Sequence, residues 1–130
     1  MIRPRDTQRQ RVYTAEREIA DALALTSTDV STPDKYRARL NEICASRFMR
    51  DTWPHVQSVP VHFSWRRRGA CGGQRGIYSG TNRWVMRELY LIHELAHVIV
   101  IRSDFEGAHH GRLWCEIYLK LVARFMGSAA

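Results

Sequence analysis

The sequence predicts an α+β domain. Three observations lead there. Apolar residues recur at helical spacing at both ends of the chain, a period-two stretch followed by glycines fills the middle, and the most apolar helical run comes directly after it. A length of 130 residues suits one domain spanning residues 1–130.

From Asp6 to Leu25, the residues Val12, Ala15, Ile19, Ala22 and Leu23 recur at spacings of three and four and mark the inner face of a first helix. The stretch TSTDVSTP (residues 26–33) is a break rich in turn formers. Thr32 has the chemistry of an N-cap, and Pro33 fits the first helical position. A second helix carries Tyr36, Leu40, Ile43, Cys44, Arg47 and Phe48. It is expected to stop near Trp53, because Pro54 disfavours helical geometry in the residue before it. In VPVHFSW, Val59, Val61, Phe63 and Trp65 alternate with Pro60, His62 and Ser64, as in a half-buried strand with Pro60 at its start or on an edge. RRRGACGGQRG (residues 66–76) reads as a glycine-rich loop suited to a hairpin, and GIYSG (residues 76–80) as a short strand. The sheet is expected to be small and mostly antiparallel. TNRW is a turn, and Val85 to Ile101 is the strongest helix of the chain. SDFEGAHHG (residues 103–111) is a loop. Leu113 to Met126 is a last helix with Leu113, Trp114, Ile117, Leu121, Val122 and Phe125 facing inward.

The net charge of +7 comes from arginine, since Lys35 and Lys120 are the only lysines. Such a balance favours an anionic partner, with nucleic acid the obvious candidate. Arg66, Arg67 and Arg68 beside Trp65 form the densest basic cluster, and Arg3, Arg5, Arg9 and Arg11 form another. No apolar run approaches the roughly 18–20 residues that span a bilayer. MIRPRDTQRQR is charged, without the apolar core of a secretory signal. Cys44, Cys71 and Cys115 form no CxxC pair, which argues against a disulfide framework or zinc ribbon and fits a reducing cytoplasm. Cys44 and Cys115 fall in helical patterns and are expected to act as small buried hydrophobes.

The chemistry lies in HELAH, residues 93–97. Four residues bring a helix nearly back to the same side, so His93 and His97 can reach one ion from a single turn. Glu94 flanks that position and can take a proton from a water, which is the mechanical content of HExxH. Leu91, Ile92, Leu95, Ala96, Val98, Ile99 and Val100 surround the three polar residues. Burying them without partners would be costly, and a metal supplies the partners. A catalytic zinc site commonly has three protein ligands and one open position. The extended HExxHxxGxxH spacing fails at Val100 and Ser103. The remaining candidates are Glu116 on the last helix and, better placed, His109 and His110 in GAHHG.

HELAH, a short loop and then EGAHHGRLW resembles the SprT-like zincin pattern. In that family a histidine-glycine pair opens the helix after HExxH, and its histidine is the third zinc ligand. The resemblance implies a minimal zincin-like domain: two N-terminal helices, a small sheet, the HExxH helix and a C-terminal helix. It implies that His110, before Gly111, completes the His93 and His97 set, and that Trp114 is the family's aromatic three residues beyond the glycine. RDTQRQRVYTAE (residues 5–16) is similar to the start of a group of HExxH metallohydrolases of actinobacteria and their phages. The chain departs from SprT-like repair proteases in lacking cysteine pairs for a ribbon, and it ends in LVARFMGSAA soon after the last helix.

The expected activity is zinc-dependent hydrolysis of a peptide or amide bond in a peptide or protein substrate, with Glu94 as general base. Residues 76–80 are the expected edge for an added substrate strand. Tyr78, Tyr90, His109 and Arg112 are candidates for stabilising the oxyanion. The alternatives are a zinc-containing nucleic-acid-binding module and a non-catalytic, degenerate zincin.

Overall fold

The computed structural model describes Arg11, residues 14–16, Glu18, residues 27–103 and residues 111–127. Within these, the chain forms helices α1 (Pro33–Ala45) and α2 (Arg47–Thr52), strands β1 (Val61–Phe63), β2 (Ala70–Gly73) and β3 (Gly76–Ser79), then helices α3 (Glu88–Arg102) and α4 (Arg112–Phe125). This is a mixed helix-and-sheet architecture, compatible with the predicted α+β class. Among the described residues, no helix is long and apolar enough to cross a membrane.

Thr32 caps α1 as predicted: its hydroxyl accepts from the Lys35 N–H at 3.2 Å, and Pro33 opens the helix. The expected continuous helix to Trp53 is broken at Ser46. Its hydroxyl donates to the Ile43 carbonyl at 2.6 Å and accepts from the Met49 N–H at 3.3 Å, ending α1 and starting α2 with one side chain. The break turns Arg47 out to solvent. In the first predicted helix, Arg11, residues 14–16 and Glu18 are helical and the rest lies outside the described residues. Ala15, expected inside, is exposed, and Glu16 is fully buried instead.

The three strands lie in the order β1–β3–β2. β1 and β3 are parallel, and β2 and β3 are antiparallel. The sheet is therefore mixed rather than mostly antiparallel. The predicted glycine-rich loop itself supplies a strand. Gln74 and Arg75 form a two-residue turn between Gly73 and Gly76, which oppose one another. Gly76 has φ +126°, a backbone conformation suited to glycine, and a Cβ there would lie 2.2 Å from the Pro60 carbonyl oxygen. This hairpin inserts β3 between β1 and β2. Residues 76–79 are therefore central, and among the described residues the sheet edges are β1 and β2. Trp65, expected to continue the buried face of β1, is 78% exposed, because the strand ends at Phe63 and the chain turns there.

α3 runs through the middle of the core. Leu89, Leu91, Ile92, Leu95, Ala96, Val98 and Ile99 are all buried. They pack with Tyr36, Leu40 and Ile43 of α1, Val61 and Ile77 of the sheet, and Ile117 and Leu121 of α4. Arg102, in the last turn of α3, donates to the carbonyls of Gln74 (3.0 Å) and Ser58 (2.6 Å), tying the helix end to both sides of the sheet. At the other end Glu88 is buried, accepting from Arg39 Nε of α1 and from the Thr28 N–H at 2.9 Å. Cys44 is buried as expected, but Cys115 is only half-buried.

Candidate metal centre

His93, Glu94 and His97 come together on the middle turns of α3, each offering a ligand atom within 4.8 Å of the others. The Nε2 atoms of His93 and His97 are 3.2 Å apart. Two imidazoles on one tetrahedral zinc, at Zn–N distances of about 2.0–2.1 Å, have their nitrogens about 3.3 Å apart. The two rings thus already stand at the spacing that one ion requires.

The second nitrogen of His93 explains why the ring is oriented this way. Its Nδ1 lies 2.8 and 2.9 Å from the two carboxylate oxygens of Glu16. A carboxylate only accepts, so Nδ1 carries a proton; in the neutral ring this leaves Nε2, the atom nearest His97, as the one with a free lone pair. The Tyr118 hydroxyl donates to Glu16 at 3.0 Å and fixes the carboxylate in turn. His93 and Glu16 are both buried, with side chains 2% and 1% exposed. A carboxylate behind a ligating histidine is the arrangement that sets tautomer and basicity at metal sites.

Glu94 is also buried. Burial pushes its carboxyl up to about 7; the nearby His93 and the Gly72 N–H act against that shift and Glu16 adds to it. β2 approaches this turn very closely. A Cβ on Gly72 would lie 2.2 Å from the Glu94 carbonyl oxygen and 3.2 Å from the His97 Cβ, so only glycine lets the strand and helix meet here. Beneath the site, the Tyr36 hydroxyl is buried without a hydrogen-bond partner among the described residues. Burial, with the Glu94 charge adding, raises its pKa well above the ordinary value.

α4 covers the histidines from the other side. Trp114 stacks on His97 at 5.2 Å and meets His93 edge-on at 4.7 Å. Tyr118 stacks behind Trp114 at 4.8 Å. Glu116 lies on the outer face of α4, paired with Arg112 at 3.1 Å, and is not part of the His–Glu–His group. His109 and His110 lie outside the described residues. Of the oxyanion candidates, Tyr78 pairs across β1 and β2 with His62 and Cys71, in the row that alternates with the Gly72 row facing α3. The sheet's alternation therefore turns Tyr78 away from the site. Arg112 is largely exposed. Tyr90, one turn before Glu94, is half-buried beside Trp84.

Glu16 was missed by pattern reading, yet the sequence carries a signal for it. It falls four residues after Val12 and three before Ile19, a lone carboxylate on an otherwise apolar stripe. Gly72 left no such trace. Removing the carboxylate tests the arrangement. If the group holds a metal ion, Glu16→Ala is expected to weaken its binding by about 10- to 100-fold, and Tyr118→Phe by less, measured by competition with a chromophoric chelator. Unchanged affinity in Glu16→Ala would show that the carboxylate does not tune His93.

The chain matches no protein-family model, no curated protein and no solved structure, so the functional argument rests on this geometry.

Proposed function

We propose that the chain is a zinc-dependent metallohydrolase of the HExxH type that cuts a peptide or amide bond, on a SprT-like, zincin-like plan. The observation that carries this reading is the pair of Nε2 atoms held 3.2 Å apart, with a buried Glu94 beside them. A purely structural site has no use for a base at that position, so Glu94 favours catalysis over the binding-module and degenerate readings.

His93 and His97 would hold the ion, with His110 as the third ligand. The choice of His110 is supported by its place before Gly111, the N-cap of α4, whose first turn sets Trp114 against both histidines. A zinc ion held there would supply Lewis acidity toward a carbonyl oxygen and would acidify a water. Glu94 takes the proton of the attacking water and returns it to the departing amine. Glu16 and Tyr118 keep His93 in its ligating tautomer. Trp114 closes the site on the α4 side. An extended peptide is held as an added strand along β2, the edge strand that touches the Glu94 turn through Gly72. The three free cysteines support a cytoplasmic setting.

Metal analysis of the purified full chain tests the site. About one zinc per chain is expected, with chelation lowering the unfolding temperature. His110→Ala should weaken zinc binding and Glu116→Ala should not, and the reverse result would reassign the third ligand. A folded protein that takes up no zinc would sink the proposal.

A further inference from the structure

The face of the sheet opposite α3 carries a second set of residues that the metal centre does not use. The cross-strand row His62–Tyr78–Cys71 lies there, because it alternates with the inward row Val61–Ile77–Gly72. His62 stacks on Tyr78 with ring centroids 4.8 Å apart and planes inclined by 22°. The Arg67 guanidinium lies over Tyr78 at 5.8 Å, and that of Arg66 lies over the exposed Trp65 at 5.2 Å. His62, Phe63, Ser64, Arg66, Arg67 and Tyr78 line an open groove of about 410 Å³.

The loop that carries these arginines is held in place. The Ser64 N–H donates to Ser79 O at 3.0 Å, the Arg67 N–H to Ser64 O at 3.1 Å, and the Gly80 N–H to Gly69 O at 2.9 Å. Asn82 Nδ2 donates to Arg68 O at 2.9 Å. The Arg67 carbonyl packs so closely on Gly80 that a Cβ there would lie 2.0 Å away. The cations are therefore presented on a positioned turn beside the aromatic rings.

We propose that this outer face binds single-stranded nucleic acid, with bases stacking on His62, Tyr78 and Trp65 and phosphates paired to Arg66, Arg67 and Arg68. Flat aromatic rings interleaved with guanidinium groups suit unpaired bases, whose faces are open to stacking. A duplex hides its base faces and would engage the arginines alone. An acidic peptide would likewise leave Trp65 and His62 without a role. The net charge of +7 adds long-range attraction for a polyanion. The proposal does not depend on the metal centre, which lies on the other side of the sheet.

The test is fluorescence anisotropy with labelled oligo(dT) of about 15 nucleotides and a duplex of equal length, on the full chain. The single strand should bind more tightly than the duplex, with an affinity that falls as salt rises. Trp65→Ala and His62→Ala should each weaken binding about 5- to 100-fold. Arg66→Gln/Arg67→Gln should weaken it at least about tenfold and lower the log–log salt slope by about 1.4, two phosphate contacts at 0.7 each. The charge-matched pair Arg47→Gln/Arg50→Gln on α2 should change it by less than about twofold, given the screening of exposed charges. Unchanged unfolding temperatures would assign the losses to the surface. The proposal is overturned by no binding at low salt, by equal losses in the α2 pair, or by duplex binding as tight as single-strand binding with Trp65→Ala and His62→Ala silent.

Discussion

On the proposed function, Glu94→Gln is expected to keep about one zinc per chain while lowering hydrolysis by roughly two to four orders of magnitude, the range for removing a general base. The substitution is close to isosteric. Its amide oxygen can still accept from the Gly72 N–H that bonds the carboxylate. The histidines remain 3.2 Å apart, because Glu16 and Trp114 rather than Glu94 orient them. The fold should not suffer, since burial already disfavours the charged form of this carboxyl. What the variant lacks is a group that can take up a proton beside the two imidazoles. The readouts are zinc by elemental analysis and peptide-bond cleavage by mass spectrometry on unfolded protein substrates. If Glu94→Gln cleaves at the wild-type rate with zinc bound, Glu94 is not the base. If it loses zinc as well, Glu94 acts on the metal rather than on the water.

Glu88→Ala is expected to cost about 3–5 kcal/mol of stability, the scale for breaking one side of a buried ion pair. The Glu88 side chain is fully buried and that of Arg39 is 12% exposed. Arg39 is committed on several sides: it also donates to Phe125 O at 3.0 Å and pairs with Glu42 at 2.6 Å. Glu88 thereby joins α1, the start of α3 and, through Arg39, the end of α4. Without the carboxylate, Arg39 keeps its charge in a site with little water, and the Thr28 N–H loses its acceptor. Since a domain of this size holds about 5–15 kcal/mol in all, the variant stands near the limit of folding. Urea unfolding measures the cost. Glu88→Leu/Arg39→Met should recover much of it, because a neutral pair of similar volume leaves no orphaned charge. A single-variant loss below about 1 kcal/mol would mean that Arg39 is well enough served by Glu42, Phe125 and solvent.

The helices were legible because their signals are local. Thr32 and Pro33 announce the start of α1, and the spacing of Leu91, Ile92, Leu95 and Ile99 announces α3. The sheet was less so. Residues 70–73, Ala-Cys-Gly-Gly, have almost no strand propensity, and they pair because a two-residue turn returns the chain beside them. The parallel alignment of β1 with β3 depends on a partner fifteen or so residues away, which no local period encodes.

The sequence by itself determined that two imidazoles and a carboxylate share one helix turn, because helical geometry converts a spacing of four into proximity. It also determined that this helix lies in the core, through the apolar residues on every side of HELAH. Only the tertiary structure decided what surrounds that turn. Glu16 reaches His93 from 77 residues away, Trp114 of α4 stacks on His97 and meets His93 edge-on, and Gly72 brings the edge strand β2 against Glu94. These contacts come from packing separate elements against one another. In that packing the Glu16 carboxylate places the proton on His93 Nδ1 and burial pushes the Glu94 carboxyl up, and neither effect is a property of the residues in sequence alone.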